Sequence, residues 1–315
     1  MRFLEDSEIF RTVLNSLSMG VYLVGCDRKI VFWNHGAEKI SGYLSQDLLG
    51  RVFRDKLLIQ YDEEHEGKVA QACQLTEALR DGVMKEADVF LLHKEGYRVP
   101  VRVCAVPLRN ELGKIVGAAE SFEELRFPTI RSHRAMDPAM PFIMNNTTGL
   151  PDMSSTRVKI QRALTEFKEH NVPICLLHLE IDGLDKLQAK GGKGPVECVR
   201  KVMAHTVTAA LRPDDFVGCD DNNRFIAILR YCEKHGINRV GDRIRTMVQC
   251  SEVDWWGDEL SLTASVGGTV ARSDDTVDTL IERARRAMEQ SLTSGGDRVT
   301  VGETEIPEIE TPSEV

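Results

Sequence analysis

Apolar positions change period several times along the chain, and each change marks an element. Residues 7–17 place Ile9, Phe10, Val13, Leu14 and Leu17 three and four apart, the spacing of an amphipathic helix. Apolar runs at 19–25 and 29–34, parted by Asp27-Arg28, predict two strands. Short helices are expected at 37–40 and 46–48, and a longer one at 68–80. Strands at 87–93, 97–109 and 114–123 follow, separated by Lys94-Glu95-Gly96 and Asn110-Glu111-Leu112-Gly113. Val99, Val101 and Val103 alternate with Arg98, Pro100 and Arg102, the period-2 pattern of a half-buried strand. Two strands, then helices, then three strands predict an antiparallel sheet with helices on one face over residues 5–124.

Residues 125–144 hold Pro128, Pro138 and Pro141, which break a continuous helix. An irregular linker is expected there rather than a coiled coil. Beyond it, a helix at 154–169 directs Val158, Leu164 and Phe167 inward. The almost wholly apolar run 172–181 reads as a strand covered on both faces. A helix at 196–211 carries Val196, Val199, Met203 and Val207 at helical spacing. A hairpin follows, in which Phe216 and Val217 enter a polar turn and Phe225, Ile226, Ile228 and Leu229 leave it. A helix at 237–248, a strand at 261–271, a helix at 276–292 and a strand at 297–301 complete an α/β domain with a central sheet over residues 145–303. The acidic stretch 304–315 reads as a disordered tail.

Composition narrows the class. The chain has 315 residues, enough for two domains. Its net charge of −9 excludes the basic surface that broad nucleic-acid binding requires. No apolar run reaches the length of a membrane span and no signal peptide is visible, so a cytoplasmic protein is expected, with no nucleic-acid or membrane partner. The eight cysteines are scattered without a C-x-x-C pair and read as small buried thiols in a reducing compartment.

The first domain resembles a PAS domain. The residues that carry the resemblance are Gly20-Val21-Tyr22, Ile30 to Asn34, Ala37-Glu38, Ser41-Gly42-Tyr43 and Gly50, then the run from His93 to Val101. The resemblance implies a sensory role with an unknown ligand. No flavin-attachment cysteine motif is present; His65 and His93 read as structural rather than as haem ligands, and Trp33 as core.

The second domain resembles the diguanylate cyclase (GGDEF) domain, on Thr148-Gly149-Leu150-Pro151, the hairpin at 212–229 and Thr263-Ala264-Ser265-Val266-Gly267. The family's signature Gly-Gly-Asp/Glu-Glu-Phe reads here Asp221-Asn222-Asn223-Arg224-Phe225, and Phe225 alone matches. Joining two GTP molecules needs Mg²⁺ on hard oxygen ligands, cations on the phosphates and close backbone approach. The resemblance places the metal between Glu180 and Asn223, and Asn223 is neutral. Asp221 and Asn222 stand where glycines would approach phosphate and base. Arg224 replaces an acid, Leu184-Asp185 replaces Phe-Lys, and Gln188 and Glu197 replace the guanine-reading Asn and Asp. The run from Leu292 to Asp297 lacks the family's two cations.

These changes imply a scaffold without its reaction. Catalytic residues are not expected; Glu180, Asp221, Asn222, Asn223 and Arg224 are vestigial positions, and Glu180 alone is retained as a metal ligand if any is. Arg212 and Asp215 form Arg-x-x-Asp nine residues before Asp221, as in the family's inhibitory site, which binds cyclic di-GMP; Arg243 aligns with that site's further arginine. The expected function is signal transduction, with a PAS sensor coupled to an inactive GGDEF domain that serves as a cyclic di-GMP receptor or a protein-interaction module, with a protein partner or a homodimer. Alternatives are a weak or atypical diguanylate cyclase, using Mg²⁺ and a site rebuilt from Glu180, Asp182, Asp220 and Asp221, and a dimerising scaffold that binds no nucleotide. Trp255-Trp256-Gly257 is expected to pack against the sheet.

Overall fold

A computed structural model describes residues 7–52, 58–61, 69–70, 74–125, 142–220, 224–255 and 258–302. The expected linker and the acidic tail therefore lie almost wholly outside the described residues, as does the hairpin tip at 221–223.

The first half runs α1 (Ser7–Ser16), β1 (Gly20–Gly25), β2 (Ile30–Trp33), α2 (His35–Ser41), α3 (Ser45–Leu48), β3 (Leu58–Tyr61), β4 (Val69–Ala70), α4 (Gln74–Asp81), β5 (Lys85–Leu92), β6 (Arg98–Arg109) and β7 (Ile115–Glu124). The strands form one antiparallel sheet in the order β2-β1-β7-β6-β5-β3-β4. Tyr22, Ile30, Leu75, Val101, Val103 and Phe122 are buried between the sheet and its helices. Each such side chain contributes roughly 1.5–3 kcal/mol by leaving water. Among the described residues, the helix expected at 68–80 is seen at Gln74–Asp81. Val69–Ala70 is a strand instead, because its backbone pairs with β3.

Asn34, fully buried, ties the elements of this half together. Its Oδ1 accepts the N–H of Val21 and of Ala37, both at 2.8 Å, and its Nδ2 donates to the carbonyls of Leu14 at 2.7 Å and Met19 at 3.0 Å. One amide thus caps α2 and holds α1 and β1 against it. Gly42 ends α2 at φ +76°, a left-handed conformation that glycine adopts without strain.

The second half runs α5 (Met153–His170), β8 (Ile174–Ile181), α6 (Leu184–Gly191), α7 (Lys193–Ala210), β9 (Phe216–Cys219), β10 (Arg224–Arg230), α8 (Lys234–Gln249), β11 (Val253–Trp255), β12 (Asp258–Leu260), β13 (Ala264–Val270), α9 (Val277–Thr293) and β14 (Val299–Val301). Five strands make a sheet in the order β14-β13-β8-β10-β9, with β13 and β14 parallel and the other pairs antiparallel. Central β8 is buried on both faces, as its continuous apolar run predicts. Ile174 and Leu176 pack under α5 and α9 with Ile160, Leu164 and Leu280. Cys175, Leu177, Leu179 and Ile181 pack under α7 and α8 with Val199, Met203, Val207, Ile244 and Met247. Sequence reading missed α6 and the β11–β12 hairpin. It also overrated Val158, which is half-buried, while Ile160 is fully buried. Trp255 lies in β11; Trp256 and Gly257 fall outside the described residues.

Candidate nucleotide-binding site

In the second half, the substituted signature positions sit at the end of the sheet where Glu180 and Ile181 of β8 meet Arg224 of β10 and Ala264 of β13. The segment from Thr148 to Pro151 anchors the hairpin. The Cys219 N–H donates to the Pro151 carbonyl at 2.9 Å, and Thr148 Oγ1 lies 2.9 Å from Cys219 Sγ. The turn itself is closed on both sides of its tip. The Asp220 N–H donates to the Arg224 carbonyl at 3.0 Å, and the Arg224 N–H donates to Asp220 Oδ1 at 2.9 Å. Arg200 on α7 adds a bond from Nη2 to the Asp220 carbonyl at 3.1 Å.

The register of β8 and β10 sets Arg224 directly opposite Glu180. Directly opposed residues project to the same face, and opposite charges there attract. Arg224 Nε donates to Glu180 Oε2 at 3.0 Å, with both side chains about a third or less exposed. A guanidinium is a cation that offers hydrogen-bond donors and no acceptor. It therefore occupies the carboxylate that sequence reading kept as the one metal ligand. Beneath the pair, His178 is buried, and desolvation, with the charges of Arg224 and Arg285, holds its pKa down at about 3. A neutral imidazole with an unpartnered Nδ1 carries no charge toward a nucleotide.

Asp182, the next acid along, is committed to the fold. Its Oδ1 accepts from Ser265 Oγ at 2.7 Å, and its Oδ2 accepts from Thr263 Oγ1 at 2.7 Å and from the Asp297 N–H at 2.9 Å. The Thr-x-Ser pattern of β13 thus clamps the end of β8. Among the described residues no group of three His, Cys, Asp or Glu is placed to hold a metal ion. The described donors do not fit a Mg²⁺ site: one carboxylate is neutralised by Arg224 and the other is saturated by three hydrogen bonds. Of the site expected from Glu180, Asp182, Asp220 and Asp221, the described members are engaged elsewhere, Asp220 by capping the turn, and Asp221 lies outside the described residues with Asn222 and Asn223.

The other substituted positions scatter. Leu184 is buried, while Asp185, Gln188 and Glu197 are exposed. Gly183 opens α6 at φ +74°. Asp297 pairs with Arg245 of α8 at 3.0 Å and lies at φ +46°.

A second candidate patch lies at the opposite end of the hairpin. Asp215 is 8% exposed; its Oδ2 accepts the Arg212 N–H at 2.9 Å and its Oδ1 accepts the Arg230 N–H at 3.1 Å. Burial raises its pKa, opposed by those two N–H bonds and by the nearby charges of Arg212 and Arg243. The fold thus brings Arg212, Asp215 and Arg243 together. Asp215 is a structural cap, whereas the Arg212 side chain is exposed. Sequence reading missed Arg200, whose helical position gives no sign of its contact with a turn twenty residues later.

Fold and site define two domains, and each matches a known family. Residues 8–119 match the PAS fold, and residues 143–298 match the diguanylate cyclase GGDEF domain. The chain carries a PAS domain followed by a domain of the diguanylate cyclase GGDEF family. Diguanylate cyclase DgcP of Pseudomonas aeruginosa is 23% identical over 154 residues, which is 49% of this chain and 23% of that protein. The probable diguanylate cyclase DgcE of Escherichia coli K12 is 21% identical over 304 residues, 95% of this chain and 26% of that protein. The chain spans about a quarter of the length of these two relatives. Among solved structures, diguanylate cyclase SiaD of Pseudomonas aeruginosa, in complex with its activator SiaC, shares the fold with a TM-score of 0.50 at 24% identity, covering 51% of this chain and 62% of that one. No helix among the described residues is long and apolar enough to cross a membrane.

Proposed function

We propose that this chain is a signal-transduction protein whose GGDEF domain makes no cyclic di-GMP and serves instead as a cyclic di-GMP receptor or a protein-interaction module under a PAS sensor. The observation that carries the reading is the Arg224–Glu180 pair. A cation supplied by the signature hairpin stands on the carboxylate that cyclase chemistry would need for a divalent ion. Two unit charges 4 Å apart interact with about 4 kcal/mol at an effective dielectric constant of 20, and a divalent ion feels about twice that from the guanidinium. The resemblance aligns Asp221 and Asn222 with the family's two glycines, which supports the same reading, since side chains and a negative charge in their place disfavour a triphosphate.

Incubation of the protein with GTP and Mg²⁺ or Mn²⁺ tests it. No cyclic di-GMP is expected, and clear product formation overturns the reading. Calorimetry with cyclic di-GMP then separates receptor from scaffold. Binding lost in Arg212→Ala and kept in Arg239→Ala supports the receptor; an absence of heat leaves the protein-interaction role, which the SiaD–SiaC complex illustrates for another protein of this fold.

A weak cyclase is the second reading, favoured by the cyclase names of the sequence relatives and by the retained carboxylate of Glu180. Product formed by the unaltered protein and abolished in Glu180→Gln establishes it.

A further inference from the structure

The turn between β5 and β6 does not end in solvent. It reaches from the PAS domain onto the GGDEF domain, where three kinds of contact converge. The ring of Tyr97 is sandwiched between His93 of its own domain and His205 of α7, with centroids 4.3 Å apart on each side and interplanar angles of 13° and 17°. Arg98, 3% exposed, donates from Nε at 3.0 Å and from Nη2 at 2.7 Å to the carbonyl of Cys250, which caps α8. The Glu252 N–H donates to the Gly96 carbonyl at 3.0 Å. A buried guanidinium forked on a single carbonyl is costly to desolvate and is retained where its geometry specifies an arrangement.

Gly96 shows how close the approach is. At φ +90°, a Cβ there would lie 1.6 Å from the Glu252 carbonyl oxygen. Phe90 and Tyr97 also pack against the core of the second domain. Beyond the contact, α7 carries His205 on the docked side and Arg200, whose guanidinium holds the Asp220 carbonyl at the signature turn. Thr206 and Ser251, with hydroxyls 3.2 Å apart, join α7 to the turn after α8.

We propose that residues 93–98 form a docking latch that seats the PAS domain on the α7–α8 face of the GGDEF domain and passes its state along α7, through Arg200, to the signature hairpin. The route needs no helix between the domains and does not depend on whether the GGDEF domain turns over GTP. The latch face is an intramolecular surface in this chain, so a protein partner of the GGDEF domain must use another face or compete for this one.

Small-angle scattering and backbone hydrogen exchange on the full chain test both halves of the proposal. Tyr97→Ala and His205→Ala are expected to raise the radius of gyration and to speed exchange at the Glu252 amide about tenfold, since that amide is held by the docked hairpin. Arg102→Ala, an exposed change on the same strand paired outward with Asp88, is expected to alter neither. His205→Ala leaves every PAS residue in place, so it reads the latch even if Tyr97→Ala unfolds that domain. An unchanged radius and unchanged Glu252 exchange in His205→Ala overturn the latch. Faster exchange at Phe216 to Asp220 in both His205→Ala and Arg200→Ala supports transmission along α7; a larger radius in His205→Ala with unaltered exchange there overturns the transmission alone.

Discussion

Arg224 shows how one substitution changes what a neighbouring acid can do. Glu180 keeps its place on β8, but its charge is answered from across the ladder. Removing the guanidinium in Arg224→Ala is expected to raise Mn²⁺ affinity at Glu180 by about tenfold or more, given the repulsion relieved. Titration followed by water-proton relaxation measures it; equal affinities in the two proteins contradict the assignment. Asp215 and Arg212 separate in the same way, although sequence reading grouped them. Asp215→Ala orphans two backbone N–H groups at a buried turn and is expected to cost about 1–3 kcal/mol of stability in urea unfolding. Arg212→Ala, on an exposed side chain, is expected to stay within about 0.5 kcal/mol. A reversed order in that pair of measurements contradicts the structural role of Asp215.

Elements meet here through small residues as much as through large ones. Helix α9 lies so close to β13 that a Cβ on Gly267 would stand 2.0 Å from the Met288 nitrogen and 2.4 Å from the Ala284 carbonyl oxygen. Backbone atoms cannot swing aside as a flexible side chain does. Gly267→Ala is therefore expected to destabilise the domain by about 1–3 kcal/mol or more, the range for overpacking. Chemical denaturation monitored by tryptophan fluorescence or circular dichroism checks it. The Thr-x-Ser-x-Gly pattern was legible as a strand, yet its logic divides: Thr263 and Ser265 clamp Asp182 while Gly267 admits α9. Helix α6 was not legible, because glycines bound it at Gly183 and Gly192 and its buried residue is Leu184 alone, so hydrophobic periodicity is weak. The helix expected at 68–80 is shortened for a different reason: pairing with β3 claims Val69 and Ala70 for a strand, and the helix is seen at Gln74–Asp81.

The two domains place opposite demands on pH. Glu120 is fully buried in the PAS core, where desolvation raises its pKa to about 7 against the hydrogen bond Tyr22 donates at 2.7 Å. The folded domain keeps a proton that the unfolded chain releases near 4.5, so this stabilisation is complete below that value and is lost as pH rises through 7. His178 acts in the other sense. Its folded pKa of about 3 lies below the ordinary 6.5, so its contribution is present above 6.5 and is lost as pH falls toward 3. Glu120→Gln is expected to raise the melting temperature at pH 8 and to leave it nearly unchanged at pH 5. Calorimetry at the two pH values decides; an equal shift at both contradicts the assignment of a neutral Glu120 in the fold below pH 7.

Pattern alone determined that two domains follow one another, which class each belongs to and where β8 runs, because burial on one face or on both leaves a period in the chain that survives without partners. Resemblance to the GGDEF domain marked Arg212, Asp215, Arg224 and Glu180 as the positions to watch. The pairing of Arg224 with Glu180, the saturation of Asp182, the buried acid at Glu120 and the docking of Arg98 on Cys250 were decided by tertiary structure. Each depends on strand register or on contact between elements far apart in the chain, and no local period encodes which side chain will stand opposite another.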